Sequence, residues 1–197
     1  MSPMIKTPLT MEYVLLGFLR QRPMHAYEMH QVLTQAKALG LVWHVKQSQL
    51  YAHITRLEDE GYVTSSLEPQ LARPARKILR LTPAGEAAFD EWVSTPVAHG
   101  REFRLDFLAK LFFASQSGSS TLETLIERQR QASTMHIERL DANAAALGPE
   151  RHFDYLVLRF RIGQLEASVA WLDECARTFA TPTTPPPVTP LHASDGK

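Results

Sequence analysis

The sequence predicts a mostly α-helical chain: an N-terminal winged helix-turn-helix with a two-stranded wing, then an all-helical C-terminal domain. Three observations carry this. Three short amphipathic helical patterns are followed by two β-forming segments and a capped fourth helix, the winged-helix order. Two segments of that region are basic and free of acid. The final helical pattern is apolar over more than half of its circumference.

The first helix opens at Thr10, repeats apolar residues at Met11, Val14, Leu15 and Phe18, and stops at Pro23. The second spans about Ala26 to Leu39, with Met29, Val32, Leu33 and Ala36 on one face and Gly40 as its stop. After a linker, Leu41 to Val45, the third begins near Ser48, buries Leu50, Ile54 and Leu57, and closes at Gly61. Tyr62 to Leu67 and Arg76 to Leu81 read as a hairpin with a long tip stiffened by Pro69 and Pro74. Thr82 caps the fourth helix, Pro83 takes its first position, and Glu86 lies near the positive end of its dipole.

Beyond Pro96, Phe103 to Ser115 is strongly apolar, and Ser120 with Glu123 forms a capping box opening a helix to about Leu147. The last helix runs from about Pro149 to Phe179. Tyr155, Leu158, Ile162, Leu165, Val169 and Leu172 form one stripe, and Phe153, Leu156, Phe160, Ala167 and Ala170 a second. A helix so apolar needs cover on two sides, so we expect a partner subunit on the Tyr155 to Leu172 stripe. The expected division is a winged helix over 1–96, a helical dimerisation domain over 97–180 and a disordered, proline-rich tail over 181–197.

The 197 residues suffice for a hydrophobic core, and a 44% hydrophobic, 21% charged composition excludes collagen-like and disordered chains. The single cysteine, Cys175, reads as an apolar filler in a reducing compartment. The longest apolar run, Tyr13 to Leu19, is too short to span a bilayer, and Arg20, Gln21, Arg22 and Pro23 stand where a signal-peptide cleavage site would lie. We therefore expect a cytoplasmic protein without membrane contact. Phosphate-loop, zinc-protease, C-x-x-C and nucleophile-elbow motifs are missing, and the eight histidines are scattered. No catalytic residue, metal site or cofactor is expected.

The 21 basic and 21 acidic residues cancel, but the charge is segregated. Met29 to Leu57 carries only Lys37, Lys46 and Arg56, and Pro69 to Gly85 only Arg73, Arg76, Lys77 and Arg80. Outside its buried stripe, the third helix offers Gln47, Ser48, Gln49, Ala52, His53, Thr55 and Arg56, with nothing acidic before Glu58. Small hydrogen-bonding and cationic side chains at a helix N-terminus suit phosphates and base edges in a major groove. The wing adds Arg73, Arg76 and Lys77 for the flanking backbone or minor groove. A plain solvated helix face with an ordinary turn is the competing interpretation.

These segments resemble the PadR-like transcriptional regulators. Pro23, Met24, His25, Ala26, Tyr27 and Glu28 match the family's first motif with alanine in place of glycine. Ser48, Tyr51 and Arg56 to Gly61 match its recognition helix, with Ala52 where proline is usual. Ala72, Arg73, Pro74, Ala75, Arg76 and Lys77 match its wing, again with glycine lost. Arg101 to Ala114 and the helices after it look like the C-terminal domain of the longer members. The resemblance implies a homodimeric regulator of double-stranded DNA with an inverted-repeat operator, more often a repressor, and a small aromatic effector as a further partner. Expected DNA contacts are Tyr27, Lys46, Gln47, Ser48, Gln49, Tyr51, Ala52, Arg56, Arg73, Arg76 and Lys77. Trp92, where the two domains should meet, is the expected effector site. A winged helix used only for protein contacts is the alternative.

Overall fold

The computed structural model describes residues 10–35, 45–70 and 73–180. Its elements are α1 (Thr10–Gln21), β1 (Met24–His25), α2 (Ala26–Gln35), α3 (Gln47–Asp59), β2 (Val63–Gln70), β3 (Arg73–Leu81) and α4 (Pro83–Ser94). A 3-10 turn (Gly100–Arg104), α5 (Asp106–Ser117), α6 (Ser119–Ala145) and α7 (His152–Ala180) complete it. The expected end of the second helix, its Gly40 stop, most of the following linker and the 181–197 tail lie outside the described residues.

The sheet has three antiparallel strands in the order β1-β3-β2. The two-residue β1 is too short to leave an alternating pattern, so hydrophobic spacing does not predict it. It pairs Met24 with Leu79 and His25 with Ile78, while the His25 Nδ1 lies 3.1 Å from the Lys77 carbonyl oxygen. β2 and β3 pair from Val63↔Leu81 to Gln70↔Arg73. Of the long loop expected between Leu67 and Arg76, residues 68–70 and 73–75 are strand: polar residues and prolines are tolerated in a two-stranded ribbon.

Apolar spacing places α1 in the centre. Val14, Leu15 and Leu16 are fully buried and Phe18 almost so. One side of α1 faces α3 and β3, the other α4 and α5. Gly17 makes the second contact possible, because a Cβ there would stand 2.5 Å from the Phe113 ring. Phe113 in turn meets Phe18, Phe89 and Trp92 edge to face. One continuous core therefore runs from the winged helix through α5 into Leu122, Leu125, Ile126, Leu172 and Cys175.

Trp92 is part of that core rather than a ligand platform. It is 6% exposed, stacked on Tyr13 at a centroid distance of 4.9 Å, and its indole N–H donates to Asp106 at 2.9 Å. The Lys110 ammonium sits 5.3 Å from its ring centroid while donating to the Thr95 carbonyl at 2.7 Å. Burial pushes the Lys110 pKa down, against the opposing pull of Asp106. The effector site expected at Trp92 is corrected: the indole's stacking face and N–H are already used.

α6 and α7 form an antiparallel pair, shown by the ion pairs Arg159–Asp141 and Arg130–Asp173, in which the later residue of α6 meets the earlier residue of α7. Gly118, not Ser120, precedes α6, so the expected capping box is absent and Ser120 lies within the first turn, its carbonyl accepting from Thr124. The partner stripe also needs correction. Ile162 and Leu165 pack on Leu140, and Leu172 enters the main core. With Leu158 and Val169 half-buried beside them, this stripe is covered by the chain itself, and only Tyr155 is exposed. The uncovered face is the other one: Phe153, Leu156 and Phe160 are 76%, 62% and 65% exposed.

Two outcomes follow from the packing. Gly17→Val pushes Phe113 against rings that hold it on several sides, and should lower the unfolding free energy by about 2 kcal/mol in chemical denaturation. Cys175, whose thiol burial raises to about 11, should resist iodoacetamide at pH 8 in the native protein, where only about one thiol in a thousand is ionised, and react once the chain is unfolded.

Candidate nucleic-acid interface

α3 is fixed to the body on one side only. Leu50, Ile54 and Leu57 are buried, the Gln49 side chain accepts from the Lys46 backbone N–H at 3.1 Å to cap the first turn, and Gly61 ends the helix at φ 79°. That left-handed angle favours glycine and turns the chain into β2. The remaining face is open: Lys46, Gln47, Ser48, Gln49, Tyr51, Ala52 and Thr55 are all exposed. The first turn contains no acid, so the positive end of the helix dipole stays uncompensated.

Tyr27 at the start of α2, Tyr51 and Thr55 on α3, and Arg76 and Lys77 on β3 line a common groove of about 770 Å³. Tyr27 is 59% and Tyr51 45% exposed, and Gln31 donates to the Tyr27 hydroxyl at 3.2 Å. Lys77 reaches across to α3 and donates to Glu58 at 2.7 Å. Burial opposes ionisation of Glu58, yet hydrogen bonds from Lys77 and Ser65 hold its pKa below the usual carboxylate value. Lys77 therefore ties the wing to the helix, and Arg76, exposed beside it, is the cation the wing presents. The Arg73 side chain lies outside the described residues.

Arg56, an expected DNA contact, is half-buried and paired inside the protein. Its guanidinium donates to the Glu12 carboxylate at 3.2 Å, and the His53 Nδ1 lies 3.1 Å from the same oxygen. Glu12 is 1% exposed. A carboxylate in the core needs cations and donors, and Arg56 and His53 supply them from α3 to α1. The sequence hides this pair because 44 residues separate its members. Gln31 joins the groove through helical spacing from Tyr27, and His25 approaches the wing through β1. Only the first left a trace in the sequence.

Arg56→Ala should behave as a core substitution. It leaves the buried Glu12 short of a donor and should lower unfolding free energy by about 1–3 kcal/mol, whereas Arg76→Ala should stay within about 0.5 kcal/mol of the parent. Parallel denaturant titrations check both.

Among the described residues no helix is long and apolar enough to cross a membrane, and no group of histidine, cysteine and carboxylate side chains is arranged to hold a metal ion. The model of the transcriptional regulator PadR-like family matches residues 15–91, and that of the virulence activator alpha C-terminal domain matches residues 103–180. The chain is 27% identical over 173 residues to the negative transcriptional regulator PadR of Bacillus subtilis, covering 83% of this chain and 93% of that one. It is 27% identical over 159 residues to a probable transcriptional regulator of Mycobacterium tuberculosis, covering 73% and 84% of the two chains. Among solved structures, Bacillus subtilis PadR in complex with operator DNA aligns at a TM-score of 0.44 and 22% identity over 87% of this chain and 99% of that one. The Vibrio cholerae virulence activator AphA aligns at 0.37 and 24% over 86% and 97%. With the winged helix matched by one model and the helices behind it by the other, residues 15–91 are of the PadR-like family of transcriptional regulators and residues 103–180 of the virulence-activator C-terminal type.

Proposed function

We propose that the protein is a homodimeric, sequence-specific DNA-binding repressor, with a winged helix over 1–96, a dimerisation domain over 97–180 and its place of action in the cytoplasm. The observation that carries this reading is the exposed, acid-free N-terminal half of α3 standing beside the groove that Arg76 lines. Gln47, Ser48, Gln49 and Ala52 are short enough to approach base edges. Lys46, Tyr27, Tyr51 and Arg76 offer a charge and hydroxyls to phosphates, and Arg73 is assigned the same role from the sequence. Lys77 is placed at the margin, where its pairing with Glu58 competes with phosphate. Repression is supported by the Bacillus subtilis relative, which is designated a negative regulator. The protein acts by binding rather than catalysis, and a small aromatic ligand is assigned as its effector, away from Trp92.

The second subunit is assigned to the stripe Phe153, Leu156 and Phe160. Three large side chains facing water over two helical turns form an apolar patch of the kind that partner surfaces bury. A two-fold axis through such a stripe pairs it with its own copy and carries two α3 helices onto one face of DNA, which an inverted repeat with half-sites about 34 Å apart, or a multiple of that, would match.

Two experiments test this. Selection of DNA fragments by the purified protein should return an inverted repeat, and Arg76→Ala should reduce the slope of log affinity against log salt by about 0.9 per lost phosphate contact in each subunit, with sequence preference intact. An unchanged slope and no enriched repeat would favour a protein-interaction role. In sedimentation, Phe160→Asp should give a folded monomer, whereas Leu165→Asp, which places a charge inside the subunit, should unfold the C-terminal helices. A dimer that survives Phe160→Asp overturns the interface.

A further inference from the structure

The outward side of α3 is short and neutral. Leu50, Ile54 and Leu57 define its inner side, and helical periodicity puts Ser48, Ala52 and Thr55 opposite them, all three exposed. None of the three is charged, and Ala52 and Thr55 both end in a methyl group. The arginine of the helix, Arg56, is turned away from this stripe and donates to the 1% exposed Glu12 at 3.2 Å. The commonest way for a side chain to specify guanine is a cation on its O6 and N7, and the outward stripe of α3 offers none. Lys46 stands at the N-cap, ahead of the first turn.

The two glutamines beside this stripe are not equivalent. The Gln49 Oε1 accepts the Lys46 backbone N–H at 3.1 Å, so its amide N–H groups are what it can turn outward. A glutamine that reads adenine on two atoms donates to N7 and accepts from the N6 amino group, and therefore needs both ends of its amide. Gln49 has one end committed to the cap. Gln47, at the first helical position and exposed, takes no part in the cap and keeps both.

We infer that α3 selects A·T pairs in the half-site: Ala52 and Thr55 pack on thymine C5-methyl groups, Gln47 takes the N6 and N7 edge of an adenine, and Gln49 acts as a donor only. The inference rests on the reading of the protein as a sequence-specific DNA-binding regulator and adds which bases are read. Discrimination works in both directions. The thymine methyl is the apolar group that base edges show in the major groove, and a short, uncharged stripe lets the helix come close enough to bury it. A guanine under Ala52 would place O6 and N7 against carbon, losing water without gaining a donor. The hydroxyls of Ser48 and Thr55 both donate and accept, so they tolerate either partner and leave the choice to the methyls and the glutamines.

DNA fragments selected by the full chain, followed by base-analogue substitution within them, test this. The positions that α3 protects in footprinting should be A·T pairs. Replacing a core thymine by uracil removes only the methyl and should weaken the parent about threefold, while the same replacement beneath residue 55 should cost Thr55→Ser nothing. 7-Deazaadenine at one core adenine should weaken the parent at least about fivefold and Gln47→Ala no further. Gln49→Glu keeps the oxygen that caps Lys46 and loses the donors, so the melting curve should hold while operator affinity falls at least about tenfold. Guanine enriched in the protected core, uracil without effect at every core thymine, or full affinity in Gln49→Glu overturns the assignment and leaves the regulator reading standing. Failure to enrich any sequence overturns both.

Discussion

The packing of Phe113 onto Gly17 is the contact on which the arrangement depends. α1 is buried on two sides because its glycine lets a ring from α5 lie where a Cβ would otherwise stand. Around that ring gather Phe18, Phe89 and Trp92, and through Trp92 the cluster reaches Tyr13, Asp106 and Lys110. The winged helix is thereby built into the first of the C-terminal helices rather than strung beside it. An interior of this kind transmits displacement, because close-packed rings have few alternative arrangements. Where α3 stands thus depends on how α5, α6 and α7 are held.

Charge is used differently on the two sides of α3. On the inner side, buried Glu12 gathers Arg56 and His53, an arrangement whose merit is orientation more than stability, since desolvation of a core carboxylate offsets most of the attraction. On the outer side, the helix N-terminus carries no acid and its dipole is left available. The Lys77–Glu58 pair closes the far end of the same helix against the wing. α3 is therefore oriented by internal ion pairs at its C-terminal half and left open at its N-terminal half.

α7 shows the same economy. Its two apolar stripes are similar in composition, and only one can face α6. Ile162, Leu165 and Leu172 take the inner position because Leu140 and the main core meet them there, and Phe153, Leu156 and Phe160 remain outside. Cys175 follows the inner stripe and is shielded with it.

Much of the fold was legible in the sequence, since hydrophobic spacing, helix stop signals and the Thr82-Pro83 start are local and set each helix almost alone. The order of elements, the basic wing, the open face of α3 and the two-sided character of α7 follow from them. What periodicity does not record is which partner a surface meets. A two-residue strand carries no repeat, so β1 required the wing to reveal it. Arg56 reads as a free cation until α1 brings Glu12 beneath it, and Trp92 reads as an aromatic at a hinge until Tyr13 and Asp106 close around it. The choice between the stripes of α7 is of this kind. Sequence determines which faces are apolar or charged because side-chain chemistry is local; tertiary structure alone decides which faces are covered, because that depends on residues brought together from distant parts of the chain.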